Sequence, residues 1–365
     1  MFCEESINEY GLPVFRMSFY LARYRDYFMN TTVKPSTLSS SAATVRSSTD
    51  LWNALPDAVR SVVLRLLVLG FLCFVLSLAS DAFLTATNIV NVLRQAALLF
   101  LLASGVTLVV LTAGLDLSVG ANVALSACLA ATLLKSTGSI ALTVSVGLGC
   151  GLLIGIVNGL LVAVVRIPPF IATYGMLWIL HGITYWFMNG ETIHGFPPAF
   201  RALGSGYYWG IPVPVFFMLI FLLAGVLFAQ RTRWGQEIYA VGANPEAARL
   251  SGVPVKNRLI LVYAVSGAMA GLASLIFLAR LNSAEGDIGE SLTLPAIAAV
   301  LIGGASLFGG VGSVFGTLIG ALMLTLVLNG MNLLNIDASW QPVVTGVIVV
   351  LAVFLDKLTR KGDVR

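Results

Sequence analysis

Ten apolar stretches alternate with short polar segments after residue 60 of the 365-residue chain, whereas residues 1–55 are polar and rich in Ser and Thr. A helix that crosses ~30 Å of hydrocarbon needs about 20 apolar residues. The stretches 119–134 and 294–308 are shorter and flanked by glycine, which is typical of broken helices that line a cavity. The predicted spans are 62–80, 96–113, 119–134, 140–165, 170–188, 212–229, 259–279, 294–308, 311–330 and 339–356.

The composition agrees with this pattern, since 58% of the residues are hydrophobic and only 10% are charged. A soluble domain usually carries about 25% charged residues. The fold class is therefore an all-α polytopic membrane protein of about ten transmembrane helices. We expect three regions: a polar, partly disordered cytoplasmic tail at 1–55, a transmembrane domain at 60–356, and a cytoplasmic C-terminal tail at 357–365.

Charge placement predicts the orientation, because Lys and Arg favour the cytoplasmic side of short loops. With both termini in the cytoplasm, twelve basic residues fall inside and four fall outside. The inside set comprises Arg60, Arg65, Arg166, Arg231, Arg233, Arg249, Lys256, Arg258, Lys357, Arg360, Lys361 and Arg365; the outside set comprises Arg94, Lys135, Arg201 and Arg280. The net charge of +4 indicates no nucleic-acid partner, and neither the cysteines nor the histidines have metal-ligand spacing.

Glycines recur every fourth residue on two of the predicted spans, at 147–159 and at 312–320. Such faces let two helix backbones approach closely inside a membrane. Each glycine helix approaches an Asn-Gly pair, and the predicted topology runs the two helices in opposite directions. An inverted repeat of spans two to five against spans seven to ten explains this; helix packing alone explains it equally well.

The longest cytoplasmic loop, 230–258, contains a short helix with clear end signals. Asn244 suits the N-cap, Pro245 the first helical position, and Glu246 the positive end of the helix dipole. Gly252 and Pro254 end it. A small helix that protrudes from a membrane domain fits a groove on another protein, although an ordinary amphipathic surface helix gives the same pattern.

Four stretches resemble the permease subunits of bacterial ABC importers of the ribose/xylose/galactose type. They are GVTLVVLTAGLDLSVGA (105–121), IPPFIATYGML (167–177), YAVGANPEAARLSGV (239–253) and PAIAAVLIGGASLFGGVGSVFGTLIGA (295–321). The resemblance covers about residues 60–356. The chain departs from the family pattern at Gln236 and His181, where Arg is usual, at Tyr174, where Leu is usual, and around Thr293 to Pro295.

The resemblance implies several partners: cytoplasmic ABC ATPase subunits, a periplasmic sugar-binding protein and a second permease copy, equal or different, in the lipid bilayer of the bacterial inner membrane. It also implies that loop 230–258 supplies the helix that docks on the ATPase. The residues expected to couple the permease to the ATPase are Gly242, Asn244, Pro245, Glu246, Ala247, Ala248, Arg249, Ser251 and Gly252. The substitutions Ala248→Arg and Glu246→Lys are then expected to abolish transport without preventing insertion.

Asp116 is a carboxylate inside an apolar stretch, where an unsatisfied charge costs several kcal/mol. One interpretation is that it caps span three and stabilises a sharp helix break; the other is that it belongs to the inner gate or hydrates the pore. The residues expected to line the translocation pathway or gate are Asp116, Ser118, Asn122, Asn158, Thr173, Gly303, Gly304 and Asn329. For each polar residue alone, hydrogen bonding between helices is the alternative.

No GxxxxGK[ST] phosphate loop is present, so the chain is expected to be a transport subunit rather than an enzyme. We expect it to bind no cofactor, with ATP and Mg²⁺ held by the partner ATPase. The favoured function is the passage of a monosaccharide or polyol delivered by the binding protein. The alternatives are an ABC importer of a signalling sugar derivative or branched-chain amino acid, and an ion-coupled secondary transporter.

Overall fold

A computed structural model describes residues 57–360 of the chain. The predicted N-terminal tail, 1–55, and the last five residues of the predicted C-terminal tail lie outside the described residues.

The described residues form thirteen α-helices and four two-residue strands. The helices are α1 (Asp57–Ala79), α2 (Ala86–Leu111), α3 (Val119–Thr137), α4 (Ile140–Ala163), α5 (Pro169–Met188), α6 (Pro198–Ser205), α7 (Val213–Arg231), α8 (Arg233–Ala243), α9 (Pro245–Leu250), α10 (Val255–Leu281), α11 (Thr293–Ile302), α12 (Val314–Leu333) and α13 (Trp340–Arg360). Strand β1 (Ile193–His194) pairs with β4 (Ser283–Ala284), and β2 (Tyr207–Tyr208) pairs with β3 (Ile211–Pro212), both antiparallel.

Ten of these helices overlap the ten predicted spans, and the apolar helices confirm an all-α polytopic membrane protein. Seven of them, α1, α2, α3, α4, α7, α10 and α12, are long and apolar enough to cross a membrane. The predicted start of α2 was wrong, because the helix begins ten residues before position 96. Thr85 caps it by accepting the backbone N–H of Asn88, so the polar first turns remain helical despite interrupting the apolar run.

α11 is the short helix that the apolar pattern predicted, but it ends earlier than expected. It spans only Thr293–Ile302 and is followed by irregular backbone from 303 to 313. Four glycines in that segment have positive φ, at positions 304, 309, 310 and 312. Because L-residues with a side chain rarely adopt this conformation, the helix cannot continue to residue 308.

The glycines of α4 pack against the glycines of α10. A Cβ added at Gly151 would overlap the carbonyl of Gly267, and one added at Gly155 would overlap the carbonyl of Tyr263. α2 and α12 form a second close pair, joined by a 2.7 Å hydrogen bond between the hydroxyls of Thr107 and Thr317. These contacts place α2 and α10 at the centre of the bundle.

Two helices outside the predicted spans were missed by the apolar pattern. The first is α6, which begins at the second of two adjacent prolines, Pro197 and Pro198, in the loop 189–211. The second is α8, which begins where Thr232 accepts the backbone N–H of Gly235. Both are short and amphipathic, and such helices do not register as membrane spans.

The substitution Gly151→Ala is expected to lower the thermal unfolding midpoint of the detergent-solubilised protein, because its methyl group must push α4 away from α10. Overpacking of a core typically costs about 1–3 kcal/mol. Gly149→Ala is the matched control on the same helix, since no atom lies within 4 Å of its added Cβ. An equal loss in both variants would show that helix propensity, rather than close packing, decides stability here.

Candidate functional site

The backbone between α2 and α3 makes a turn at residues 112–118 that is organised by Asp116. This side chain is 2% exposed. Its Oδ1 accepts hydrogen bonds from the backbone N–H of Ser118 at 3.1 Å and from the Ser118 hydroxyl at 2.7 Å. Its Oδ2 accepts one from the hydroxyl of Ser266, on α10, at 2.8 Å. The carboxylate therefore joins the turn to the central helix of the bundle.

Three helices hold the rest of this turn. The carbonyl oxygen of Leu115 accepts from the hydroxyl of Tyr263 on α10 at 3.2 Å and from the hydroxyl of Thr173 on α5 at 3.1 Å. The Ser118 hydroxyl accepts from the side-chain amide of Asn158, on α4, at 2.8 Å. Any displacement of α4, α5 or α10 therefore strains or breaks a hydrogen bond to this turn.

The expectation that Asp116 caps α3 was wrong in its detail. Ser118 is the N-cap residue, and its side chain makes no capping hydrogen bond. The N–H of Gly120, in the first turn, donates instead to the hydroxyl of Thr293 on α11, at 3.2 Å. The carboxylate stabilises the turn before the helix, and a residue 173 positions away completes the helix end.

The other residues predicted for the pathway or gate fall into two groups. Asn122 lies on the α3 side near the turn and donates to the carbonyl of Gly151 at 3.2 Å. Asn329 lies on α12, where it exchanges two hydrogen bonds with Asn88, at 3.1 and 2.8 Å. Gly303 packs on Gly316, and Gly304 packs against the Arg65 side chain. Asp116, Ser118, Asn122, Asn158 and Thr173 are therefore clustered, whereas Gly303, Gly304 and Asn329 are elsewhere in the bundle.

Two cavities lie on either side of the turn. The aromatic cavity, of 390 Å³, is lined by Leu117 at one end of the turn and also by α3, α5 and residues 286–294. The loop cavity, of 270 Å³, is lined by Thr112 and Gly114 at the other end of the turn, and by Arg166, Pro245 and Tyr263. The turn that Asp116 holds together thus contributes to the lining of both cavities.

Sequence reasoning missed most of the side chains that line the aromatic cavity. Asp287, Glu290 and His181 were not among the residues expected to line the pathway or gate, yet all three line this cavity. Phe170, Tyr174 and Trp178 line it as well. Their spacing of four residues was a visible signal, but the same spacing also fits an apolar face buried against a neighbouring helix.

The predicted short helix in loop 230–258 is α9, with the expected ends. The side-chain oxygen of Asn244 accepts the backbone N–H groups of Glu246 and Ala247, at 3.1 and 3.0 Å. Gly252 has a φ of +83°, which ends the helix. Glu246 pairs with Arg249 at 2.6 Å, with both side chains largely exposed, so the pair adds little stability.

One predicted coupling residue is buried, and an exposed one was left out. Ala248 is buried, so Ala248→Arg would disrupt the packing of α9 before it tested any docking. Leu250 is 75% exposed and lies at the end of the same helix. Leu250, unlike Ala248, can therefore be substituted without disturbing the packing of α9.

α8 is fastened to the start of α10 by an ion cluster. Glu237 accepts hydrogen bonds from Arg258, on α10, and from Arg233 at 2.8 Å. The Arg258 guanidinium also lies over the Trp234 ring, 5.0 Å from its centroid. The hydrogen bond from Arg258 is the main reason that the pKa of Glu237 lies below its ordinary value.

The loop also touches the end of α2 directly. A Cβ at Gly242 would overlap the carbonyl oxygen of Leu111, and that same oxygen accepts the N–H of Gly310 at 2.9 Å. Tyr239 donates to the carbonyl of Gly312 at 2.9 Å. Leu111 is the last residue of α2, so α8 bears on the backbone that leads into the Asp116 turn.

Comparison with known proteins identifies the family of this chain. Residues 88–353 match the family described as branched-chain amino acid transport system / permease component. The chain belongs to this permease family. The matched region contains the Asp116 turn, both cavities and loop 230–258.

Individual relatives carry sugar-transport names. The permease is 41% identical over 295 residues to the ribose import permease protein of Escherichia coli strain K12, covering 80% of this chain and 92% of that protein. It is 39% identical to the ribose import permease protein of Bacillus subtilis strain 168, covering 82% and 94%. It is 35% identical to the galactose/methyl galactoside import permease protein of Salmonella typhimurium, covering 80% and 92%. Comparison with solved structures gave no significant match.

The substitution Asp116→Ala is expected to lower the thermal unfolding midpoint, because it leaves the buried donors of Ser118 and Ser266 without an acceptor. Each orphaned buried group costs about 1–3 kcal/mol. Ser266→Ala should cost less, and the double variant should cost less than the sum of the two. Ser274→Ala is the control on the same helix, since its hydroxyl bonds only locally, to Gly271. If the losses in the two single variants simply add in the double variant, Asp116 and Ser266 do not interact, which would contradict their hydrogen bond.

The cluster at Glu237 predicts a pH dependence of loop 230–258. Because the pKa of Glu237 is lowered from 4.5 in the folded protein, its contribution to stability is complete above pH 4.5 and is lost as the pH falls through the lowered value. The protection factors of the α8 amides, which correct hydrogen exchange for its intrinsic pH dependence, should therefore fall on acidification in the parent and not in Glu237→Gln. Glu246→Gln, at the exposed pair on α9, is the control and should keep the parent's pH profile. An unchanged profile in Glu237→Gln would remove the cluster as its cause.

Proposed function

We propose that this chain is the membrane-spanning permease subunit of an ATP-driven importer, and that it passes a monosaccharide or polyol delivered by a periplasmic binding protein. The observation that carries the proposal is the 35–41% identity to ribose and galactose permeases over about four-fifths of the chain. A branched-chain amino acid or sugar-derivative cargo and ion-coupled secondary transport are both less favoured by these relatives.

The proposed topology has ten spans with both termini in the cytoplasm of a bacterial inner membrane. Seven helices meet the length and hydropathy of a span, and α5, α11 and α13 complete the ten. In this orientation loop 230–258 is cytoplasmic, and β1 to β4 with α6 lie on the periplasmic side. The excess of Lys and Arg on the loop side supports this orientation.

We also propose an inverted repeat of α2–α5 against α10–α13, and the packing supports it. α4 packs on α10, and correspondingly α12 packs on α2. α3 contacts both α4 and α10, whereas α11 contacts both α12 and α2. α5 packs on α3 as α13 packs on α11. Each half therefore lays its glycine helix on the long helix of the other half.

Loop 230–258 is the proposed docking element for the ATPase. α9 presents an exposed surface that includes Leu250, and α8 links it through Glu237 and Arg258 to α10. Movement imposed on α9 would reach the Asp116 turn along two paths: through Gly242 to the end of α2, and through α10 to Ser266. ATP and Mg²⁺ would be bound by the ATPase, and this chain would bind no cofactor.

The turn at Asp116 is the proposed inner gate. It separates the aromatic cavity from the loop cavity, which opens towards the ATPase side in the proposed topology. Asp116, Ser118, Asn122, Asn158 and Thr173 would hold it closed, and a joint shift of the packed pair α4 and α10 against α5 would open it. Gly303, Gly304 and Asn329 would serve the packing of the other half, and a second permease copy would complete the pathway.

The deciding measurement is ATP hydrolysis by the permease reconstituted in nanodiscs with its ATPase and binding protein. We expect hydrolysis to rise when the binding protein is loaded with one sugar from a panel of pentoses, hexoses, polyols and amino acids. Stimulation by an amino acid alone would replace the sugar assignment. Failure of the ATPase to co-purify would overturn the importer itself.

Leu250→Ala tests the docking element within that system. Removing an interface anchor is expected to weaken ATPase binding about tenfold and to lower stimulated hydrolysis. Leu84→Ala is the matched control, because Leu84 is also exposed but lies at the opposite end of the bundle. Equal behaviour of the two variants would exclude Leu250 as an anchor.

A further inference from the structure

One face of α5 carries a row of aromatic rings, which we call the aromatic ladder: Phe170, Tyr174, Trp178, His181 and Tyr185. Successive ring centroids are 5.8, 6.3, 5.6 and 4.5 Å apart. The spacing of four, four, three and four residues keeps all five on one side of a helix. The ladder therefore runs along most of the length of α5.

The ladder is not part of the packed core. The Phe170, Tyr174, Trp178 and Tyr185 side chains are all exposed, and the first three, with His181, line the aromatic cavity. The facing wall is the segment 286–294, including two exposed acidic residues, Asp287 and Glu290. The cavity thus places aromatic faces opposite carboxylates.

These carboxylates lie well inside the bundle, because the segment before α11 runs down the side of α3. The Cys128 thiol, midway along α3, donates to the carbonyl of Glu285, and Gly289 packs against Gly120 in the first turn. Eight residues of α3 separate these contacts, a descent of about 12 Å at 1.5 Å per residue. Exposed carboxylates at membrane depth are tolerated where they face water rather than lipid. Carboxylates at this depth therefore favour a cavity that holds water rather than lipid.

The chemistry of this cavity fits a neutral polyhydroxylated ring. Aromatic faces carry partial negative charge and attract the C–H groups on the flat side of a sugar. Carboxylates are strong hydrogen-bond acceptors for its hydroxyls. No described residue that lines the cavity is Lys or Arg, so the carboxylate of an amino acid would lack a permanent cationic partner. The volume of 390 Å³ lies within the range of small-molecule sites, about 300–1,000 Å³.

From this geometry we infer that the aromatic ladder is the sugar-contacting wall of the translocation pathway, and that Asp287 and Glu290 accept hydrogen bonds from the hydroxyls of the passing sugar. The inference rests on the proposed function for its substrate class. It goes further by assigning the wall, the acceptors and the face of α5 that the sugar follows.

The test compares transport with coupling in proteoliposomes that contain the permease, its ATPase and its binding protein. Uptake of radiolabelled ribose and galactose is measured beside ATP hydrolysis. Trp178→Leu is expected to lower uptake about three- to tenfold, as the loss of an aromatic contact implies, while stimulated hydrolysis persists. Trp178→Phe should keep most of the uptake. Trp186→Leu is the matched control, since Trp186 is 82% exposed on the same helix and lies outside the ladder.

The acceptors are tested in the same system. Glu290→Leu is expected to reduce uptake strongly, Glu290→Gln less so because its amide oxygen still accepts, and both should change the ratio of ribose to galactose uptake. Unchanged uptake and ratio in Trp178→Leu and Glu290→Leu would overturn the assignment. So would loss of permease dimers in Trp178→Leu, because the ladder would then be an interface between copies. Absence of sugar uptake and of stimulated hydrolysis in the parent would instead count against the proposed function.

Discussion

The hydrogen bonds to one buried carboxylate organise this bundle. Asp116 lies in an apolar environment, where an unpartnered charge is costly, and three hydrogen bonds from Ser118 and Ser266 surround it. Those bonds fix the turn between α2 and α3 and tie it to α10. Through Ser118 the same network reaches Asn158 on α4. The start of α3, and hence one wall of the aromatic cavity, depends on this arrangement.

Close helix packing supplies the other constraint. Glycine faces on α4 and α10 bring two backbones into contact, so neither helix can slide without displacing the other. Loop 230–258 acts on the same unit from one end, through Gly242 at the end of α2 and through Arg258 at the start of α10. The Asp116 turn is held by hydrogen bonds and lies between these packed helices. It is therefore well placed to receive a movement of loop 230–258.

The two cavities fit the chain's membership of the permease family. The chain aligns with 92% of the length of the relatives named for ribose and galactose import. The aromatic cavity offers ring faces and carboxylates, which can contact the C–H groups and the hydroxyls of a sugar. The loop cavity is lined by the other end of the Asp116 turn and by Pro245 of loop 230–258. The turn that lines both cavities is short, only residues 112–118, although three other helices contact it.

The sequence by itself determined the ten apolar helices, the glycine faces and both ends of α9, because periodicity, hydropathy and capping are local properties. It also singled out Asp116 as a charge that needs partners. Only the tertiary structure decided that those partners include Ser266, 150 residues away, and that Thr293 completes the start of α3. It alone placed Asp287 and Glu290 opposite the rings of α5. Such pairings depend on how distant helices meet, and a carboxylate or a ring in sequence carries no record of its neighbour in space.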